Sequence, residues 1–358
     1  MNPYANLPRQ SFWKASMQSP GALDVDFDCG RKFTFSVTDS FVTAGSCFAQ
    51  HFANRLTARG GNVLIAEQRH PMVPESCEHG YGLFSARYGN IYTVRQLLEM
   101  LEQAFRIRPV HGEFSKRSDG RWVDMLRPRA VPMGFSSKAQ ACADRNYHLY
   151  TVSEMIRKMN VFVFTTGLTE AWINTIDNYC YPVVPGVVAG VFLPDSHRFH
   201  NFTFAETVDD LQKVINIIFA NNSAARILLT VSPVGLVATA EPRSVIVSTV
   251  ASKSILRAAI EEVIKNNPGV DYFPSYEIIT SPYGGAQFWA DGLRDVTEKG
   301  VETVMDVFFH SRMPYLREQV KTHSETQLSQ SKEFEEKLEK ALTDECDEMF
   351  LDPALRSK

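Results

Sequence analysis

Val42-Thr43-Ala44-Gly45-Ser46-Cys47-Phe48-Ala49-Gln50-His51 is the point where a β-favouring apolar run hands over to a helix-like one. Phe41 and Val42 lead into Gly45, and Phe48 to Leu56 reads as a helix from the next residues on. A cysteine therefore stands where a strand turns into a helix. The unpaired N–H groups and positive end of a helix favour a nearby anion. A thiolate is such an anion, so Cys47 is expected to be nucleophilic near neutral pH. Gly45 lets the backbone bend sharply and leaves the following side chains accessible.

Outward from this turn, the chain alternates strands with helices. Phe33 to Val42 is β-favouring, and the helix after Cys47 runs to about Arg59, where Gly60-Gly61-Asn62 ends it. Asn62 to Ala66 is a short strand, residues 69–91 read as loop, and Thr93 is placed to cap a helix over Val94 to Arg106. Ser137 to Met159 reads as helix. Val161-Phe162-Val163-Phe164 reads as a strand buried on both faces, ended by Gly167. Helices over Val208 to Ala220 and Thr249 to Lys265 flank a second buried strand, Ile227 to Val231. Val270 to Phe273 is a further strand and Gly300 to His310 the last core helix.

This order predicts an α/β fold: a three-layer, doubly wound, mostly parallel sheet. Residues 1–32 read as an extended lead-in, and 69–92, 107–137 and 177–203 as loop insertions. Functional groups belong at the carboxyl ends of the strands. Cys47, Gly167 to Glu170, Ser232 and Glu277 are all expected there. The core domain is expected over 1–312. Residues 313–358, rich in Glu, Lys, Gln and Ser, read as a charged helical or partly disordered tail. Phe334, Leu338 and Leu342, spaced by four, leave open a partner or homo-oligomer helix there.

Composition excludes several classes. A net charge of −4 over 358 residues offers no basic excess for nucleic acid. No apolar run approaches the roughly 20 residues that cross a bilayer. Met1-Asn2-Pro3-Tyr4-Ala5 does not open a secretory signal. The six cysteines are scattered, with no Cys-x-x-Cys, which suits reduced thiols and a cytoplasmic location. No compact metal-ligand motif is present, and no cofactor is expected.

Gly45-Ser46-Cys47-Phe48-Ala49 also resembles the signature of the GSCFA domain family. The resemblance continues through Gly80-Tyr81-Gly82, Phe84 to Arg87, Tyr88 to Thr93, Val123-Asp124 with Arg127-Pro128, and Gly134-Phe135. Thr165 to Trp172, Thr230 to Val234, Ser252-Lys253-Ser254, Tyr272 to Glu277 and Leu293 to Thr297 follow in order. It spans roughly residues 40 to 310. The family is similar to the SGNH (GDSL-type) hydrolases, which implies an SGNH/flavodoxin-like sheet and acyl chemistry, as an esterase or acyltransferase. An O-acylated carbohydrate or polysaccharide precursor is the implied substrate, with acyl-CoA as a possible co-substrate. The rival is a non-catalytic module of the same fold that binds a glycan or nucleotide-sugar.

Laid over the SGNH Gly-Asp-Ser block, Cys47 takes the nucleophile's place and Ser46 the place of Asp. Ser46 remains the alternative nucleophile, and a purely structural Cys47 a third reading. The superfamily's Asp-x-x-His does not recur: Asp295 stands where the His would be and Gly292 where the Asp would be. His51, four residues after Cys47, lies on the same helix face and is the candidate base. His197 and His200, beside Asn201, are weaker candidates for reaching over the cleft, and His148 reads as structural. Gly89-Asn90 is the candidate second block, supplying oxyanion donors. Gly167-Leu168-Thr169-Glu170 takes the place of Gly-x-Asn-Asp, with Thr169 for Asn. The plainer alternative is a strand-end turn with Glu170 capping a following helix. Ser232 follows a buried strand and is expected to line the cleft. Ser252-Lys253 is a substrate-binding or structural pair.

Overall fold

The computed structural model describes residues 2–19, 21–69, 80–314 and 347–352. The Cys47 side chain, and with it Phe334, Leu338 and Leu342 of the tail, lies outside that description. The strands are β1 (Ser40–Gly45), β2 (Asn62–Val63), β3 (Phe114–Lys116), β4 (Trp122–Asp124), β5 (Val161–Thr166), β6 (Glu170–Asn174), β7 (Tyr179–Tyr181), β8 (His197–Asn201), β9 (Arg226–Val231) and β10 (Val270–Tyr272). The helices are α1 (Trp13–Met17), α2 (Ala22–Val25), α3 (Cys47–Ala58), α4 (Val94–Ala104), α5 (Lys138–Lys158), α6 (Phe204–Asn221), α7 (Val245–Asn266), α8 (Ser275–Thr280) and α9 (Glu298–Arg312).

Five strands form the central sheet in the order β10-β9-β5-β1-β2, and every pairing in it is parallel. Counting only these strands, the order is 2-1-3-4-5, the flavodoxin-like winding. Its topological switch point lies between β1 and β5, at their carboxyl ends. Alternation along each strand sends side chains to opposite layers. Val42, Ala44, Phe162, Phe164, Ile227 and Leu229 meet the apolar faces of α4, α5, α6 and α7. Phe41, Val161, Val163 and Leu228 meet α3, α8 and α9 on the other side. Each of these strand side chains is essentially buried. For the larger ones that is worth roughly 1.5–3 kcal/mol apiece relative to exposure. The three-layer sheet expected from the sequence is therefore present.

The β2 strand pairs with only the start of β1. The rest of that edge is taken by the segment 85–92. Ser85 Oγ accepts from the Thr43 amide at 3.1 Å, the Tyr88 hydroxyl donates to the Thr43 carbonyl, and the Ile91 amide donates to the Gly45 carbonyl at 2.8 Å. An irregular loop thus satisfies the backbone of a buried strand. Thr93 then caps α4, with Gln96 closing the reciprocal pair of bonds.

Several sequence expectations change. The lead-in 1–32 is not simply extended, since it contains α1 and α2. The 107–137 insertion holds the antiparallel hairpin β3–β4. The segment after Gly167 opens β6 rather than a helix, and β6 joins β7 and β8 of the 177–203 region in a separate antiparallel sheet, β7-β6-β8. These strands are three to five residues long and rich in polar side chains (His197-Arg198-Phe199-His200-Asn201). Pairing and packing decide them more than intrinsic propensity does. Glu277 does not end a strand; it lies in α8, where its carboxylate accepts from Arg257 Nε at 2.9 Å and Tyr272 Oη at 2.7 Å.

Candidate active site

The turn Gly45-Ser46-Cys47 stands at the end of β1, and Cys47 is the first residue of α3. Gly45 has φ +140°, and a Cβ there would lie 2.4 Å from the Thr165 carbonyl oxygen. Only glycine allows β1 and β5 to stay paired while the chain turns into the helix. Ser46 is the N-cap residue of α3, with extended backbone. Its hydroxyl does not cap the helix and finds no other hydrogen-bond partner among the described residues, although the residue is 5% exposed. An N-cap serine normally spends its oxygen on the first turn. Here that oxygen lines a narrow recess together with Tyr92, Gly167, Leu168, Ser232 and Lys253.

The recess lies at the switch point. Gly167 follows β5, and its amide and that of Leu168 both donate to the Tyr92 carbonyl at 3.0 Å. A Cβ on Gly167 would come within 2.9 Å of that carbonyl oxygen. Ser232 follows β9 and is buried, its Oγ accepting from the Val234 amide at 3.3 Å. Lys253 comes from α7, is 2% exposed, and donates from Nζ to the Gly167 carbonyl. A buried ammonium is costly unless it is held by acceptors or serves a developing negative charge. Three strand ends and one lysine therefore converge around Ser46.

His51 lies one turn along α3. Burial and then the positive charge of Arg55 hold its imidazole down to about 4, with the negative charge of Asp295 pulling the other way. The ring is thus neutral at neutral pH and able to accept a proton. Asp295, which stands where the superfamily histidine would be, is the acidic side chain whose charge reaches His51. It also accepts from Arg294 at 2.7 Å.

Gly89 takes a left-handed φ of +71°. Asn90 beside it is buried, and its Oδ1 accepts from Gln50 Nε2 at 3.2 Å. Gln50 belongs to the first turn of α3, so Asn90 is fixed against the same helix end as Cys47. Thr169 is placed differently from Asn90. Its hydroxyl donates to Asn201 Oδ1 at 2.7 Å, and its amide donates to Ser252 Oγ at 2.8 Å. Asn201 in turn donates to Glu241 at 2.8 Å. Thr169 and Asn201 tie β6 and β8 to α7. Glu170 accepts from Thr239 Oγ1 and from the Ala240 amide, and burial raises its carboxyl above the usual range.

Of the other histidines, His200 pairs with Glu206 at 2.9 Å. His197 accepts from the Leu193 amide at 3.0 Å. Both are engaged within or beside the β7-β6-β8 sheet. His148 is buried with Nδ1 2.7 Å from Glu67 Oε2.

Beside the recess opens a cavity of ≈ 290 Å³, near the lower end of ordinary ligand pockets. It shares Tyr92, Leu168 and Leu236 with the recess and adds Trp172, Val184 and Phe199, so its wall is mainly apolar. Leu351 of the C-terminal segment also lines it. The cavity has no local signal in the sequence, because its walls come from segments far apart in the chain, from Tyr92 to Leu351. Lys253 carried a signal: it continues the apolar stripe of Leu256, Ile260 and Val263 along α7, where a lysine is out of place.

Among the described residues, no group of three or more His, Cys, Asp or Glu side chains is placed to hold a metal ion. No helix among them is long and apolar enough to cross a membrane.

Comparison with known proteins places the chain. No curated protein matches it. Among solved structures, a carbohydrate esterase family 3 from Talaromyces cellulolyticus is 12% identical, with a TM-score of 0.27. That alignment covers 65% of this chain and 93% of the other. Residues 40–308 match the GSCFA family, from the first strand of the sheet to its last helix. The chain belongs to the GSCFA family.

Proposed function

We propose that the protein is an acyl-handling enzyme, an esterase or acyltransferase, working through a covalent intermediate at the Ser46-Cys47 turn. The observation that carries this reading is the recess at the β1/β5 switch point, where the unspent Ser46 hydroxyl and the buried Lys253 ammonium meet beside an apolar cavity. Cys47 is the nucleophile, at the positive end of α3. His51 takes the thiol proton as sulfur attacks the acyl carbonyl carbon. Lys253 and the Asn90 amide stabilise the oxyanion. His51 returns the proton to the departing alkoxide or thiolate, which leaves a thioester on Cys47. Water or an acceptor hydroxyl then gives its proton to His51, attacks the thioester and frees the thiol.

The apolar cavity, walled by Val184, Trp172 and Phe199, takes the acyl group. The core domain extends over 1–312, with 313–358 as an appended tail. A panel of nitrophenyl esters and acyl-CoA donors tests the activity. Turnover that disappears in Cys47→Ala supports it. Absence of turnover with every donor, combined with binding of a glycan, favours instead a non-catalytic module. The displacement of the superfamily's histidine by Asp295 is the observation on that side.

A further inference from the structure

Two small adjoining recesses share Tyr88, Asn90, Arg127 and Pro182. Their volumes are ≈ 20 and ≈ 50 Å³, room for a few water-sized groups but not for a sugar ring. The Arg127 side chain is 3% exposed. Its Nε donates to Asp124 Oδ2 at 3.0 Å and its Nη2 to Asp144 Oδ2 at 2.7 Å, but Nη1 has no hydrogen-bond partner among the described residues. A buried charged donor left unpaired is among the most costly polar defects a fold can carry. The same two carboxylates that neutralise the guanidinium also hold it in place, in a side chain that lines both recesses.

The surroundings favour an oxyanion. Arg87 and Arg129 line the outer recess beside Gly89, and Arg145 lines the inner one. Arg87 is also buried, donating to Glu67 and Asp144. The carboxylates of Asp124 and Asp144 are engaged by arginines, that of Glu67 by His148 first and then by Arg127 and Arg87, and each is held below its usual range despite burial. Glu99, which lines the inner recess, is pushed up to about 7 by burial and accepts from the Cys180 amide. His148 lines that recess too. Its Nδ1 faces Glu67, and its Nε2 is a second buried atom without a partner among the described residues. With Nδ1–H donating to the ionised Glu67, Nε2 is an acceptor and suits a hydroxyl.

We propose that this pair of recesses is a subsite for the oxyanion head group of a hydroxylated ligand, a carboxylate- or phosphate-bearing sugar, gripped by Arg127 Nη1. Asn90 connects the subsite to the first turn of α3 through Gln50, and Pro182 connects it to the apolar cavity. The anionic group thus belongs to the substrate whose acyl group reacts at Cys47. This last assignment, but not the anion site itself, rests on the function proposed above.

Calorimetry on the full chain tests it with inorganic phosphate, glucuronate, glucose 1-phosphate and glucose at matched ionic strength. Phosphate is expected to bind, and one of the two acidic sugars to bind at least about tenfold more tightly than glucose; which one separates carboxylate from phosphate as the source. Arg127→Lys, which keeps the charge but loses the fork, is expected to weaken that binding by about tenfold. Equal affinity for all three sugars, or no phosphate binding, overturns the proposal. Should Arg127→Lys fail to fold, a crystal of the wild-type protein soaked in phosphate decides: an anion within hydrogen-bond distance of Nη1 supports the site, and water there overturns it. Anion binding in a protein that turns over no ester would leave the site standing and remove the proposed function.

Discussion

Lys253 Nζ donates to the carbonyl of Gly167, which fixes a buried ammonium at the end of the middle strand of the sheet. The lysine is thereby held beside Ser46 in the recess where β1, β5 and β9 end. Along α7 it continues the apolar stripe of Leu256, Ile260 and Val263. If that head stabilises an oxyanion, Lys253→Met should lower kcat by roughly 10²–10³ with KM little changed. Lys253→Arg should recover part of the rate. A purely structural lysine would instead show a fall in urea midpoint with kcat preserved in the folded fraction.

His51 gives a signed pH expectation. With its imidazole held at about 4, the ring is an available base from about pH 5 upward. The acid limb of kcat/KM should therefore fall near pH 4, not near the ordinary histidine value of about 6.5. Asp295 opposes the lowering, so Asp295→Asn should move that limb to still lower pH. His51→Gln should remove the limb and cost about 10²–10⁴ in rate. An acid limb near 6.5 that survives His51→Gln would assign the base elsewhere.

Gly45 is expected to be irreplaceable for the fold. Gly45→Ala combines a left-handed φ with a Cβ 2.4 Å from the Thr165 carbonyl. A loss of about 3 kcal/mol or more is expected from urea unfolding. A loss under about 1 kcal/mol would mean that the β1–β5 pairing yields easily at the switch point.

Glu99 makes stability pH-dependent. Burial raises its carboxyl to about 7 in the folded protein, from an unfolded value of about 4.5. The folded state therefore binds the proton more tightly. The resulting stabilisation is fully present below about pH 4.5 and is lost as pH rises through about 7. Glu99→Gln keeps an acceptor for the Cys180 amide without the titration. The wild type should lose up to about 3 kcal/mol more than Glu99→Gln between pH 4.5 and 8, read from urea midpoints. Parallel pH profiles for the two proteins would contradict this.

The sheet was legible because its strands are short apolar runs, Val161 to Phe164 and Ile227 to Val231, separated by helical spacing. The Gly45-Ser46-Cys47 turn was legible because glycine, a strand end and a helix start coincide there. The β7-β6-β8 sheet was not, since His197 to Asn201 has no apolar alternation and is held by pairing with Glu170 to Asn174. Thr169 shows a different limit. Its position after β5 matches an oxyanion donor, yet its hydroxyl proton is directed to Asn201, a partner 32 residues away that no local pattern reveals. Arg127 is similar: Asp124 and Asp144 hold it, and only the folded arrangement puts its side chain on the wall of a recess.

The central claim is covalent acyl transfer at the Ser46-Cys47 turn. Its most direct test is rapid quenching of the full chain with an activated ester, followed by intact and peptide mass measurement. Wild type should carry one acyl group on Cys47 before steady state, Ser46→Ala should retain it, and Cys47→Ala should carry none. An acyl group on Ser46 would move the nucleophile by one residue. A protein that hydrolyses the ester and never carries an acyl group would contradict the covalent mechanism.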